Sequence, residues 1–155
     1  MHLDGGILSQ KIKKEKILVV DDETDMLVFL STVIETGGFD PILAINRTEG
    51  LRAALEESPD LIIVDVMMPK EDGLQMYRDL KYNKMLKHIP VIMLSSIDRD
   101  TFFHYQKMKT IQPGKGLPEP EAYLEKPPEA EELLSLIQNM LIKKKSTNDS
   151  INKEM

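Results

Sequence analysis

Cysteine is absent from all 155 residues. That excludes disulfides and thiolate metal sites. A basic excess is missing too: 20 Lys and Arg stand against 26 Asp and Glu, for a net charge of −6. Phosphate backbones need a basic face, so this balance argues against a general nucleic-acid binder, and no direct nucleic-acid partner is expected. No apolar run approaches the ~18 residues of a membrane span, and the first residues hold no signal-peptide core. A membrane partner is therefore not expected, and the expected location is cytoplasmic. The three histidines, His2, His88 and His104, have no metal-ligand spacing and read as surface residues. What remains is a chain with 41% hydrophobic residues, enough for one packed domain of this length with polar ends.

The apolar residues fall into short runs. Ile17–Val20, Leu61–Val64 and Ile89–Leu94 are continuous and bounded by turn residues, which favours buried strands over helices. Pro41–Ile45 and Ala122–Leu124 are shorter strand candidates. Between them lie segments of helical period. Thr24–Glu35 carries Met26, Leu27, Leu30, Val33 and Ile34 on one face, and Gly37-Gly38 ends it. Thr48–Glu57, Leu74–Lys84, Asp98–Lys109 and Glu129–Ile142 complete the helices. Ile111–Glu121, with three prolines and two glycines, is a loop. Residues 1–15 read as a flexible polar lead, 16–142 as the domain, and 143–155 as a disordered polar tail. Five alternations of strand and helix predict a doubly wound α/β fold: a five-stranded parallel sheet with helices on both faces. Right-handed crossovers leave few topologies, and the flavodoxin-like order 2-1-3-4-5 is the natural one.

The polar residues collect where strands end. Asp21 and Asp22 follow the first strand, Asp65 the third, Ser95 the fourth and Lys126 the fifth. In a parallel sheet those ends share one edge, where ligands bind. Three clustered carboxylates repel one another unless a divalent cation sits among them, and an oxygen-only donor set suits Mg2+. A lysine opposite leaves a gap fit for a phosphoryl group, and the serine hydroxyl can bond its oxygens. A carboxylate can itself act as nucleophile and form an aspartyl phosphate, with cation and lysine offsetting the transferring charge.

The blocks ILVVDDE, LIIVDVMMPKEDG, VIMLSS and YLEKP together resemble the receiver domain of two-component response regulators. The resemblance spans Lys16–Ile142, and four blocks in order, each at a strand end, make it specific. It implies that Asp65 accepts a phosphoryl group from a sensor histidine kinase or phosphotransfer protein in a phosphorelay. Asp21 and Asp22 would bind Mg2+ together with Asp65 and the backbone carbonyl of Met67. Ser95 matches the switch hydroxyl, Tyr123 the aromatic switch position, and Lys126 the family lysine, with Pro127 its usual follower, often joined by a cis bond. Ser96 fills a small-residue slot. The family output is a change in binding to a downstream protein, so the chain is expected to be a switch rather than an enzyme, with slow self-dephosphorylation. With thirteen residues after Ile142 in this sequence, a DNA-binding output is not expected within it.

Each residue also has a plainer reading. Asp21, Asp22 and Glu23 suit the start of a helix. Ser95 suits a strand-end loop, and Tyr123 suits ordinary packing in an edge strand. The fold could also serve as an interaction module without phosphorylation, although such a module need not keep every acid and the lysine. A dehalogenase-type phosphotransferase would carry a second aspartate two positions after the nucleophile; here that position is Met67. The chain departs from the family twice. Ser95 and Lys126 are farther apart than in typical receivers, through extra length in Ile111–Glu121, and the small-residue run that closes the fourth helix is missing. The extra segment is expected to remodel the usual signalling face. Deleting Gln112–Pro120 is therefore expected to change partner binding in pull-down assays and to leave phosphorylation intact; lost phosphorylation would show the segment to be structural.

Overall fold

The computed structural model describes residues 13–109 and 118–154. Five strands form one parallel sheet: β1 (Lys16–Val20), β2 (Asp40–Ala44), β3 (Leu61–Asp65), β4 (Val91–Ser95) and β5 (Ala122–Glu125). Their order is β2-β1-β3-β4-β5, as the alternation predicts. Five helices connect and follow them: α1 (Thr24–Thr36), α2 (Arg47–Glu57), α3 (Asp72–Tyr82), α4 (Arg99–Lys109) and α5 (Ala130–Glu154).

The sheet is buried on both faces, which is why its strands read as continuous apolar runs. Successive residues of a strand point to opposite faces. Leu18, Val20, Ile62, Val64, Val91 and Met93 enter one core with Leu74, Met76, Tyr77 and Leu80 of α3. Ile17, Val19, Leu61, Ile63, Ile92 and Leu94 enter the other, with Leu27, Leu30 and Ile34 of α1 and Leu133, Ile137 and Met140 of α5. At about 25 cal/mol per Å2 of apolar surface removed from water, these two layers dominate the stability of the domain.

Local signals account for most boundaries. The Asn46 side chain accepts from Glu49 N at 2.8 Å and caps α2. Gly38, at φ 86°, takes the left-handed turn after α1. Asp60 pins the start of β3 to β1: its carboxylate accepts from Lys16 N at 2.8 Å, and its own N donates to Lys16 O at 2.8 Å.

Two expectations fare differently. The tail from 143 onward is not without structure; the α5 backbone stays helical to Glu154. Neither Gly nor Pro interrupts 143–154. Lys144 and Lys145 also tie the helix down, the first donating to Asp60 O at 3.4 Å and the second paired with Glu15 at 3.2 Å. The lead before residue 13, and 110–117 of the long loop, lie outside the described residues.

The end of that loop is fixed to the body. Tyr77 donates its hydroxyl to Pro118 O. The Glu121 carboxylate accepts from Val91 N at 2.8 Å and pairs with Lys81 at 3.2 Å, the lysine side chain being only 6% exposed. One acid thus satisfies a buried strand amide and a nearly buried cation. Glu121→Ala is expected to lower the unfolding free energy by about 1–3 kcal/mol, because the Val91 amide loses its acceptor and Lys81 keeps only the Ile89 carbonyl at 3.5 Å. Urea unfolding measures it, and an unchanged midpoint would rule it out.

Candidate functional site

Three polar side chains are buried among the described residues: Asp21, Asp65 and Ser95. All stand at carboxyl ends of the central strands. Asp21 continues β1, and its N donates to Ala44 O at 3.1 Å, so the chain leaves the sheet only after this residue. Its Oδ1 accepts from Glu23 N at 2.9 Å. Asp65 closes β3, and its Oδ1 accepts from Met67 N at 2.9 Å. Val20 and Val64 are register partners, so the two acids emerge side by side.

Lys126 reaches this pair from beyond β5. Its N donates to Ser95 O at 2.8 Å, and the Lys126–Pro127 bond is cis. Its ammonium lies 3.0 Å from Asp65 Oδ2, 2.9 Å from Asp21 Oδ2 and 2.7 Å from Glu23 Oε1. The contacts to Asp65 and Glu23 are hydrogen bonds. The contact to Asp21 compensates charge but is not aligned as one, so Asp21 Oδ2 is buried with no hydrogen-bond donor.

Gly73 makes the approach of α3 possible. A Cβ there would lie 1.9 Å from Asp65 O and 2.6 Å from Val66 Cα, both backbone atoms that cannot turn aside. Lys70, in the 3-10 turn Pro69–Glu71 before α3, holds φ at 60°, a left-handed conformation that non-glycine residues seldom adopt.

The electrostatics follow from burial. Loss of hydration raises the Asp21 pKa above its ordinary 3.8, and the Asp65 charge adds to the rise; Lys126 and the Glu23 N–H oppose it without cancelling it. Burial alone would lower the Lys126 pKa, but Asp21, Glu23 and Asp65 outweigh it and hold the lysine above its usual value. Burial likewise raises the Tyr123 pKa, against a Ser95 contact that lowers it.

The structure brings Asp21, Asp22, Asp65 and Lys126 together, with Met67 alongside through its N–H. Asp21, Asp22, Glu23 and Asp65 each offer a carboxylate oxygen within 4.8 Å of the others. A cluster of hard oxygens with one buried, donor-free atom fits a divalent cation such as Mg2+. Ser95 is one strand over: its Oγ accepts from Ile97 N at 3.1 Å. Tyr123 stands apart from the acids. Its ring packs on Phe102 and Phe103, at 5.4 and 5.8 Å between centroids, and its hydroxyl donates to Ile97 O at 2.7 Å. Glu23 was not singled out from the sequence as part of the site. The signal was present as the third acid of the DDE run, but it suited the start of a helix equally well. In the structure Glu23 is the N-cap of α1 and makes no side-chain cap bond.

The description "Response regulator receiver domain" belongs to the family model that matches residues 17–138. Protein PilG of Pseudomonas aeruginosa is 35% identical over 122 residues, covering 79% of this chain and 84% of that protein. The alkaline phosphatase synthesis transcriptional regulatory protein PhoP of Bacillus subtilis is 41% identical over 86 residues. That match covers 56% of this chain and only 35% of the length of PhoP. Among solved structures, a response regulator receiver domain protein from Clostridium thermocellum superposes with a TM-score of 0.69 at 34% identity, over 86% of this chain and 98% of that one. A CheY-like receiver domain protein from Methanospirillum hungatei shares the fold, with a TM-score of 0.72 at 21% identity.

The raised Asp21 pKa has a sign that can be measured in metal-free protein. The folded state binds this proton more tightly than the unfolded state does, so the Asp21 contribution to stability is highest below pH 3.8. It is lost as pH rises through the raised folded value. Asp21→Asn is therefore expected to gain stability relative to wild type as pH rises through that window, in chemical unfolding with chelator present. A difference between the two proteins that does not change with pH would contradict it. Gly73→Ala is expected to cost about 1–3 kcal/mol or more by the same measurement, because the backbone must move.

Proposed function

The chain belongs to the response regulator receiver domain family, and from that premise we propose that it is a phosphoacceptor switch that takes a phosphoryl group on Asp65. The donor is a phosphohistidine on a sensor histidine kinase or phosphotransfer protein. A carboxylate oxygen of Asp65 attacks phosphorus as the P–N bond to the imidazole breaks. The product is an aspartyl phosphate, and the imidazole nitrogen leaves with the electron pair and later takes a proton. What supports this reading is the meeting of a nearly buried Asp65 carboxylate with an ammonium at 3.0 Å and further carboxylates at one open strand edge.

Each neighbour has a part in that step. Lys126 neutralises charge on the incoming group from the side of β5. Met67 N–H and Lys126 hold the Asp65 carboxylate by separate oxygens, which fixes its plane. Asp21, Asp22, Asp65 and the Met67 carbonyl would hold Mg2+, which when bound supplies positive charge for the phosphoryl oxygens. Ser95, at the end of the neighbouring strand β4, donates its hydroxyl to a phosphoryl oxygen, and Tyr123 answers through Ile97. The altered β4–β5 surface then binds or releases a downstream protein, in the cytoplasm. The chain acts as a switch, turning over only through slow hydrolysis of its own phospho-aspartate. Among the described residues no helix is long and apolar enough to cross a membrane.

Acetyl phosphate with Mg2+ is expected to add one phosphoryl group by intact-protein mass spectrometry, and Asp65→Asn to abolish the gain. No gain at all would favour a module that works without phosphorylation, and a gain that survives Asp65→Asn would place the phosphoryl group on another residue and overturn the role given to Asp65. Magnesium at about a hundredfold over its Kd is expected to raise the unfolding free energy by about 2.7 kcal/mol. Asp21→Asn is expected to lose most of that increment, as read by thermal melts with and without chelator.

A further inference from the structure

Glu23 approaches Lys126 from the solvent side. Its Oε1 is 2.7 Å from the ammonium, shorter than the contacts of Asp21 and Asp65, and its side chain is 62% exposed where theirs are buried. It is also the N-cap of α1, a position where Ser, Thr, Asp or Asn would satisfy a free helix N–H. Glu23 leaves that bond unmade and spends its carboxylate on a lysine 103 positions along the chain. Helix formation therefore does not explain the side chain. The lysine does.

We infer that Glu23 is a positioning residue that keeps Lys126 at the rim of the site when a divalent cation takes the oxygens of Asp21 and Asp65. The inference rests on the reading given under Proposed function and deepens it. Without a cation, the ammonium sits among three carboxylates, two of which are the buried acids a cation would use. A divalent cation and an ammonium cannot both sit against those oxygens without strong repulsion. The ammonium must give ground, and with three donors on a flexible stem it can turn. Glu23 provides a counter-ion on a long exposed side chain, already in contact. Held there, Lys126 neither competes with the cation nor swings into solvent, and it stays beside Asp65.

The test uses the full chain and Mg2+ alone, with no phosphodonor. By calorimetric titration, Glu23→Gln is expected to weaken Mg2+ binding about threefold to fivefold, the range of one exposed ion pair. The loss is expected to be smaller in a Lys126→Met background, where there is no ammonium to hold. No loss, or a loss as large or larger in that background, overturns the inference, because it would make Glu23 a ligand or a general charge. Absence of Mg2+ binding by the wild type overturns it as well. A second measurement needs only Glu23→Gln. Under saturating Mg2+, reductive methylation followed by peptide mass spectrometry should modify Lys126 faster in the variant than in wild type, and equal rates overturn the inference. Acetyl phosphate treatment of the wild type reports separately on Asp65, so absence of phosphorylation with these Mg2+ results intact would sink the phosphoacceptor reading alone.

Discussion

Two carboxylates pressed together at the end of a buried sheet are the constraint from which the rest of this molecule follows. Asp21 and Asp65 are 0% and 3% exposed, on adjacent strands. Burying one anion is costly, and burying two beside each other is more so. The ammonium of Lys126 makes it possible, and it must come from the far side of β4. With β5 next to β4 and β4 next to β3, one lysine stem reaches both acids. Such a cluster is a poor way to gain stability, since apolar residues of similar volume often do as well or better. Its presence at the open edge is better explained by chemistry that needs the charge.

The scaffold holds this edge still. Each face of the sheet has its own core, and a one-residue slip would exchange one apolar set for the other, so register rests on how each set fits the helices on its own face. Close approach completes the frame: α3 begins against the backbone of Asp65, which the missing Cβ of Gly73 permits. On the β4–β5 side the strap from Pro118 to Glu121 is bolted to Tyr77, Lys81 and Val91. The β4–β5 connection therefore ends in a rigid anchor.

Much of this was legible in the sequence, for definite reasons. Two-sided burial writes strands as unbroken apolar runs, and right-handed crossovers then leave little freedom, so the sheet and its order could be read. Asp21, Asp65 and Lys126 could be read because each terminates such a run. What could not be read depends on side-chain direction or on long-range partners. Glu23 looks like any acid at a helix start, and only its turn away from the helix gives it to Lys126. Glu121 looks like loop, because nothing local says that its carboxylate will receive the amide of Val91. The α5 extension was missed because the apolar stripe ends at Ile142, whereas the helix continues on backbone propensity and the ties of Lys144 and Lys145.

The placement of Tyr123 carries a last consequence. It touches none of the acids, yet both peptide groups of one residue join it to Ser95: Ile97 N donates to the Ser95 hydroxyl, and Ile97 O accepts from the Tyr123 hydroxyl. A turn of the Ser95 side chain away from its present rotamer strains or breaks the bond from Ile97 N. The Ile97 amide is part-buried, so the loop after β4 is the element that adjusts to give it another partner. Ile97 O moves with it, and the tyrosine either follows or loses that bond. Its ring packs against Phe102 and Phe103, which also meet edge to face, and Arg99 lies 5.3 Å over Phe103, so the aromatic cluster at the start of α4 is coupled to that motion. Arg99 in turn pairs with Glu119 of the strap. A contiguous path of hydrogen bonds and ring contacts thus runs from the Ser95 end of β4 to the strap before β5, with the backbone of Ile97 as one of its links.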